Sequence, residues 1–294
     1  MGYILCFPKD AVASAATGLM LWYQQVLPTL LPFSILSNIL IYSNYLKYMT
    51  RYLTPLLRFF LPVSENGAFV IVSGFLFGFP MGSKNCAELL KAGTISKEEA
   101  EILFVITNNI SPVFISSYIL HQQLNMPFLT LISYLILFLP PLIWGDILLH
   151  RVSISDFTHK KPASGSQMNF KIIDAGIMNG FETLTRLGGY IMLFSMAASM
   201  LQKLPLPTAL KLCLTGFTEI TNGICLLGNS PLSNRTRYIL AMAFTAFGGF
   251  SGIAQTSSMI KDTPLSLKKY LFQKVLLAIL SSLLALITAI CLKI

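Results

Sequence analysis

The side chains able to do chemistry in this chain gather at four places, each set inside apolar sequence. The first, Gly78-Phe-Pro-Met-Gly-Ser-Lys-Asn85, ends on a cation and an amide. The second, Thr107-Asn-Asn-Ile-Ser-Pro112, puts Asn108, Asn109 and Ser111 ahead of a proline. The third, Thr218-Glu-Ile-Thr-Asn-Gly223, carries Glu219 and Asn222, and the fourth, Phe247-Gly-Gly-Phe-Ser-Gly-Ile-Ala-Gln255, carries Ser251 and Gln255. All four also hold helix breakers: Gly78, Pro80 and Gly82, then Pro112, then Gly223, then Gly248 and Gly249. Glycine permits a tight turn, and proline leaves a carbonyl without its donor. Irregular backbone at membrane depth persists only where protein buries it or it lines a cavity, and paired interruptions point to a transport site. The pattern therefore predicts solute binding. Lys84, Asn85, Asn108, Asn109, Ser111, Glu219, Asn222, Ser251 and Gln255 are the candidate contacts, converging on one polar cavity.

Each candidate also has a plainer role. Lys84 either attracts an anion or snorkels to the interface from a hairpin end. Asn108 and Asn109 either meet a solute or satisfy backbone groups freed by Pro112. The Gly248 to Gly252 cluster either breaks a helix or permits close helix packing. Ionisable groups in apolar segments are costly and usually functional or paired, which favours Lys84 and Glu219. Glu219 would balance Lys84 or carry a coupling proton. Glu182 and Arg186, four apart, pair with each other. No zinc spacing links His121, His150 and His159, no P-loop is present, and no Ser/His/Asp set can be argued. Neither enzyme activity nor a cofactor or metal is expected.

The elements that must position these residues are membrane helices. The chain is 54% hydrophobic and 11% charged, with mean hydropathy +0.68, against about 25% charged in soluble domains. The net charge of +9 lies in short loops, which suits topology signals and lipid contact rather than nucleic acid. The five cysteines have no paired spacing and read as small hydrophobes. Met1 to Pro8 makes no convincing cleavable signal. Spans are predicted at Leu21–Tyr42, Glu98–Leu120, Met126–Leu148, Met178–Leu201, Tyr238–Ile260 and Tyr270–Leu292. Re-entrant hairpins are predicted at Ala68–Leu90 and Cys213–Leu227. Tyr45–Phe60 reads as an amphipathic interfacial helix, or else as a short span.

The two halves look related. An offset of 137 places Asn85 on Asn222, Leu89-Leu90 on Leu226-Leu227, Ser96 on Ser233, Ile102-Leu103 on Ile239-Leu240 and Pro127 on Pro264. Upstream, Phe33-Ser34 matches Phe194-Ser195 at an offset of 161, so the first half holds an insertion that includes the amphipathic segment. The basic stretch His150 to Lys171 should be cytoplasmic. His121 to Asn125 then lies outside, while its repeat partner Ile260 to Lys269, with three lysines, lies inside. Lys47, Arg51, Lys91 and Lys97 agree; Lys203, Arg235 and Arg237 do not. The expected fold class is an all-α polytopic membrane protein, an inverted repeat whose halves each hold about three spanning helices and one re-entrant hairpin. The repeats span 11–149 and 173–294, joined by a cytoplasmic linker at 150–172.

Several of these motifs resemble a known family. Leu21-Trp-Tyr-Gln-Gln-Val-Leu-Pro-Thr-Leu-Leu-Pro-Phe33 is similar to the start of the sporulation integral membrane proteins called YlbJ or SpoVV, within the nucleoside-recognition or Gate-domain superfamily. Gly78-Phe-Pro-Met-Gly-Ser-Lys84 resembles that family's Gly-Tyr-Pro-x-Gly-Ala-Lys motif. Glu98-Glu-Ala-Glu followed by Thr107-Asn-Asn-Ile-Ser-Pro-Val-Phe-Ile115 resembles its acidic helix start and Asn-x-x-Asn-Pro-Leu-Phe-Ile segment, with Ser111 in place of the second asparagine. The third and fourth breaks match in order. Members usually begin with a full hydrophobic helix, of which Tyr3 to Phe7 remains here. The resemblance implies transport of a small organic anion, dipicolinic acid, during endospore formation, in the cell membrane or the outer forespore membrane. A nucleoside or nucleobase transporter and a non-transporting scaffold of the spore envelope are the alternatives. Expected partners are the anion and membrane lipid, with a second copy or other sporulation membrane proteins beside them.

Overall fold

Proline and glycine placement decides where the helices of this chain bend and stop. A computed structural model describes residues 2–43, 45–152 and 169–294, and among these residues every regular element is helical. Helices α1 (Gly2–Cys6) and α2 (Pro8–Leu21) lead through a π-helical turn at Trp22–Val26 into α3 (Leu27–Tyr42). The segments Pro8–Gln24 and Leu27–Tyr42 meet at 52°. Pro28 and Pro32 lack the N–H groups that would have continued the ladder across this point. The expected span over Leu21–Tyr42 is therefore corrected: the run that could cross begins at Pro8 and is bent.

Helix α4 (Leu46–Arg58) follows, with Tyr48, Tyr52 and Leu56 exposed and Thr50 and Thr54 buried. Then come α5 (Glu65–Phe77), α6 (Met81–Lys91) and α7 (Lys97–Thr107). Ser64 and Ser96 cap α5 and α7 by accepting from the Gly67 and Glu99 main-chain nitrogens at 3.0 Å each. The Glu99 carboxylate in turn accepts from the Ser64 nitrogen at 2.8 Å, tying the two helix starts together. The expected span Glu98–Leu120 is not one helix. It divides into α7 and a π-helical segment, Phe114–Gln123, because Pro112 and the two asparagines interrupt it.

A 3₁₀ turn at Pro127–Leu129 opens α8 (Thr130–Leu149). Most of the stretch read as a linker, 150–172, falls outside the described residues. The second half holds α9 (Phe170–Lys203), α10 (Thr208–Thr218), α11 (Ile220–Gly228), α12 (Asn234–Phe247), α13 (Gly249–Met259) and α14 (Leu267–Cys291). Among the described residues, four stretches are long and apolar enough to cross a bilayer: Pro127–Leu149, Phe170–Lys203, Asn234–Met259 and Leu267–Cys291; counting the bent pair as one span makes five. The chain is an integral membrane protein.

Helix α9, about 51 Å long at the usual helical rise, is the spine of one side. Both α2 and α3 pack along it, as do α10 and α13. Small residues let them approach. A Cβ on Gly176 or Gly180 would sit 2.7 Å from Ile39 or Ile35, and one on Gly188 would sit 2.8 Å from the Trp22 ring. The Trp22 indole N–H is satisfied by the Leu184 carbonyl at 2.7 Å. On the other side α12 packs against α14, and both touch α8. Short pairs fill the space between: α5 against α6, and α10 against α11.

Candidate functional site

The four sequence breaks are breaks in the structure; the first meets the second and the third meets the fourth through backbone, and side chains join the two pairs. Helix α5 stops at Gly78, whose φ of 75° and ψ of −168° suit glycine alone. A Cβ there would stand 2.5 Å from the Ser111 nitrogen, so the first break touches the second, and the Phe79 nitrogen donates to the Asn109 carbonyl at 2.6 Å. The Phe79 ring reaches the fourth break, 3.2 Å from where a Gly252 Cβ would be. There Gly248 has φ 82° and Gly249 φ 70°. Gly249 abuts the third break, its Cβ position 3.4 Å from the Thr218 carbonyl and the Ile220 nitrogen. The segment after the second break closes the set, with the Tyr118 hydroxyl donating to the Thr221 carbonyl at 3.0 Å.

Side chains at the breaks form separate clusters. Asn108 is fully buried; its amide N–H groups donate to the hydroxyls of Thr256 (2.7 Å) and Tyr270 (2.8 Å), and its carbonyl accepts from the Ser83 nitrogen at 3.4 Å. Asn109 donates to the Ile106 carbonyl at 2.6 Å and accepts from the Lys274 ammonium at 2.8 Å. Ser111 caps the following segment by accepting from the Phe114 nitrogen, and the Pro112 carbonyl accepts from Tyr134. Glu219 ends α10 and caps α11, accepting from the Thr221 and Asn222 nitrogens at 3.1 and 2.7 Å. Asn222 donates to Glu219 and to Ser195, and Gln255 donates to Ser251 at 3.0 Å. Asn85 faces α5, donating to Ser73 at 2.9 Å. Gly82 and Gly223, expected as breakers, instead lie inside α6 and α11, where the lack of a Cβ permits close approach to the Thr107 carbonyl and to Gly216.

Lys84 sits apart from Glu219. Only 3% exposed, its ammonium donates to the Ser34 hydroxyl of α3 at 2.7 Å, and among the described residues no carboxylate lies in ion-pair range of it. It lines a cavity of about 200 Å³ between α6, α9 and the end of α13. Glu88 and Lys91 share the α6 wall, Asn179 and Arg186 the α9 wall, and Lys261 and Asp262 close the third side. Arg186 is paired with Glu182 one turn away. A network from Glu88 through Tyr42 and Asn179 to Asn38 lies beside it. Bringing Lys84 and Glu219 into contact would need a rearrangement of these partners.

Sequence reasoning marked Ser34 and Ser195 only as matching repeat positions, and passed over Thr256, Tyr270 and Lys274 as site residues. The Thr256 and Tyr270 hydroxyls carry no signal in sequence. Lys274 did: it is a cation inside an apolar run of spanning length, a placement that is rarely accidental.

Two comparisons with known proteins bear on this arrangement. Residues 24–122, which hold the first two breaks, match the family described as "Gate: Nucleoside recognition". No solved structure matches the chain. Over 319 aligned residues it is 26% identical to the sporulation integral membrane protein YlbJ of Bacillus subtilis (strain 168), covering 93% of this chain and 76% of that protein. This is the resemblance its motifs carry.

Proposed function

We propose that this chain is a membrane transporter for a small organic anion, dipicolinate, during endospore formation, and that it catalyses no reaction. The observation that carries the reading is the meeting of four helix breaks, with Lys84 nearby at the wall of a charged cavity. Broken helices around a common point are how membrane transporters expose helix ends and free backbone groups to a solute. The name of the Bacillus relative supports a role in sporulation, in the cell membrane or the outer forespore membrane.

The proposed architecture is an inverted repeat, with α5–α6 and α10–α11 as re-entrant hairpins entering from opposite faces. Helix ends support the repeat. Lys91 and Gly228 end α6 and α11, Lys97 and Asn234 begin α7 and α12, and Thr130 and Leu267 begin α8 and α14, each pair 137 residues apart. The matched serines each accept from the first turn of the second hairpin helix, Ser34 from Lys84 of α6 and Ser195 from Asn222 of α11, although the donors are one position apart under the offset of 137. The exposed aromatic face of α4 suits the lipid interface.

The test is uptake of labelled dipicolinate and labelled nucleosides into vesicles containing the purified chain. Dipicolinate uptake above empty vesicles is the expected result. Nucleoside uptake alone would favour the reading in the Gate family's description. No uptake of either would favour a scaffold of the spore envelope.

A further inference from the structure

The last spanning helix holds a buried charge that the transport reading does not use. Lys274 of α14 is 1% exposed. Among the described residues no carboxylate lies within ion-pair range of its ammonium. Its acceptor is the neutral Asn109 side-chain carbonyl at 2.8 Å, and the ammonium lies 5.6 Å from the Tyr270 ring centroid. Burying a cation without a counter-ion is costly, and a leucine or methionine would fill similar space without that cost. Packing does not explain the residue.

Its surroundings do. The second break ends α7 at Thr107, leaving the carbonyls of its last turn without helical donors. A helix C-terminus carries partial negative charge and favours a cation. Asn109 bonds one of these carbonyls, that of Ile106, and its own side-chain oxygen points at Lys274. One turn earlier on α14, Tyr270 grips the other asparagine: it accepts from the Asn108 amide at 2.8 Å and stacks on Phe104 of α7 at 4.8 Å. A single face of α14 thus holds both asparagines of the break. In secondary transporters, unwound carbonyls and half-helix C-termini of this kind coordinate a monovalent cation.

We propose that Lys274 is a tethered cation at the α7 break, doing there what a bound monovalent ion would do. It is a positioning residue that acts on the broken segment through Asn109. If the transport reading holds, solute movement needs no metal cation at this break, a consequence that rests on that reading. The structural claim does not.

The experiment compares wild type, Lys274→Ala and Lys274→Met as full chains in detergent, reading the thermal midpoint in sodium, propylammonium or N-methylglucamine chloride at equal ionic strength. Propylammonium replaces the three carbons and the ammonium that the alanine variant lacks. Wild type should melt alike in all three. Lys274→Ala should melt about 5 °C lower in N-methylglucamine and regain most of the loss in sodium or propylammonium, as binding to the folded state requires. Lys274→Met, with the space filled and the charge gone, should melt below wild type in every salt. A Lys274→Ala midpoint that ignores the cation, or a Lys274→Met as stable as wild type, overturns the proposal. If Lys274→Ala cannot be purified in any salt, Lys274→Met alone decides. The readout requires no transport, so failure of vesicle uptake and failure here are separate results.

Discussion

Two glycines with nearly the same φ make a controlled test of whether the first two breaks are pressed together. Gly78 has φ 75° and Gly93 has φ 67°. A Cβ at Gly93 would meet nothing within 4 Å, whereas one at Gly78 would lie 2.5 Å from the Ser111 nitrogen and 3.0 Å from the Asn109 carbonyl. Both clashing atoms are backbone, so no side chain can swing aside. Gly93→Ala should therefore cost about 1 kcal/mol, the strain of a positive φ alone. Gly78→Ala carries strain of about 1–3 kcal/mol, because its ψ lies in a region nearly closed to other residues, and overpacking of about 1–3 kcal/mol more. At roughly 2 °C per kcal/mol for a chain of this size, the midpoints should fall by about 2 °C for Gly93→Ala and about 4–12 °C for Gly78→Ala. Melting of the purified proteins in one detergent gives the comparison, and vesicle uptake should fall for Gly78→Ala only. Equal drops in midpoint would mean that the two breaks are not in backbone contact, and the candidate site would lose its geometry.

Three further expectations follow from named contacts. Lys84→Met removes a buried charge-assisted bond to Ser34 and should lower anion uptake about 10- to 100-fold, the equivalent of 1.5–3 kcal/mol, with unchanged abundance in the membrane; normal uptake would remove Lys84 from the site. Asn108→Ala forfeits three bonds, to Thr256, Tyr270 and Ser83, and should destabilise by about 3 kcal/mol. Combined with Thr256→Val its loss should be less than additive in a melting experiment, and strict additivity would argue that the two side chains do not meet. In a cysteine-free background, Asp262→Cys and Ser164→Cys should both be shielded from an impermeant thiol reagent added outside intact cells, since both lie in basic stretches of the sequence; labelling of either would reverse that part of the topology.

Much of this protein was legible before any coordinates. Composition sufficed for an integral membrane protein, because apolar runs of spanning length have no other stable home. Three of the four breaks could be read because glycine and proline act on their own backbone, through φ and a missing N–H, whatever surrounds them; the third turns at Glu219, with Gly223 inside α11. Hence Gly78, Gly248 and the Asn108 to Pro112 stretch interrupt helices where the sequence places them. The motif resemblance, likewise local, agrees with the match to the Gate family and to YlbJ.

What local rules could not supply is which side chains meet. The bend between α2 and α3 is not visible in the apolar signal, which continues through it, although Pro28 and Pro32 mark where it forms; how the two arms then lie along α9 is a matter of packing. Glu219 and Lys84 looked like partners in the repeat, yet each finds nearer ones, Glu219 in the N–H groups of its own helix and Lys84 in Ser34. Lys274 stood in plain view inside an apolar run, but its meaning depends on Asn109, 165 residues away in sequence. Sequence alone determined where the helices break, since that is set within a few residues by backbone chemistry. Tertiary structure alone decided which broken ends face one another and which buried polar groups answer them, because those pairings join residues brought together only when the helices pack.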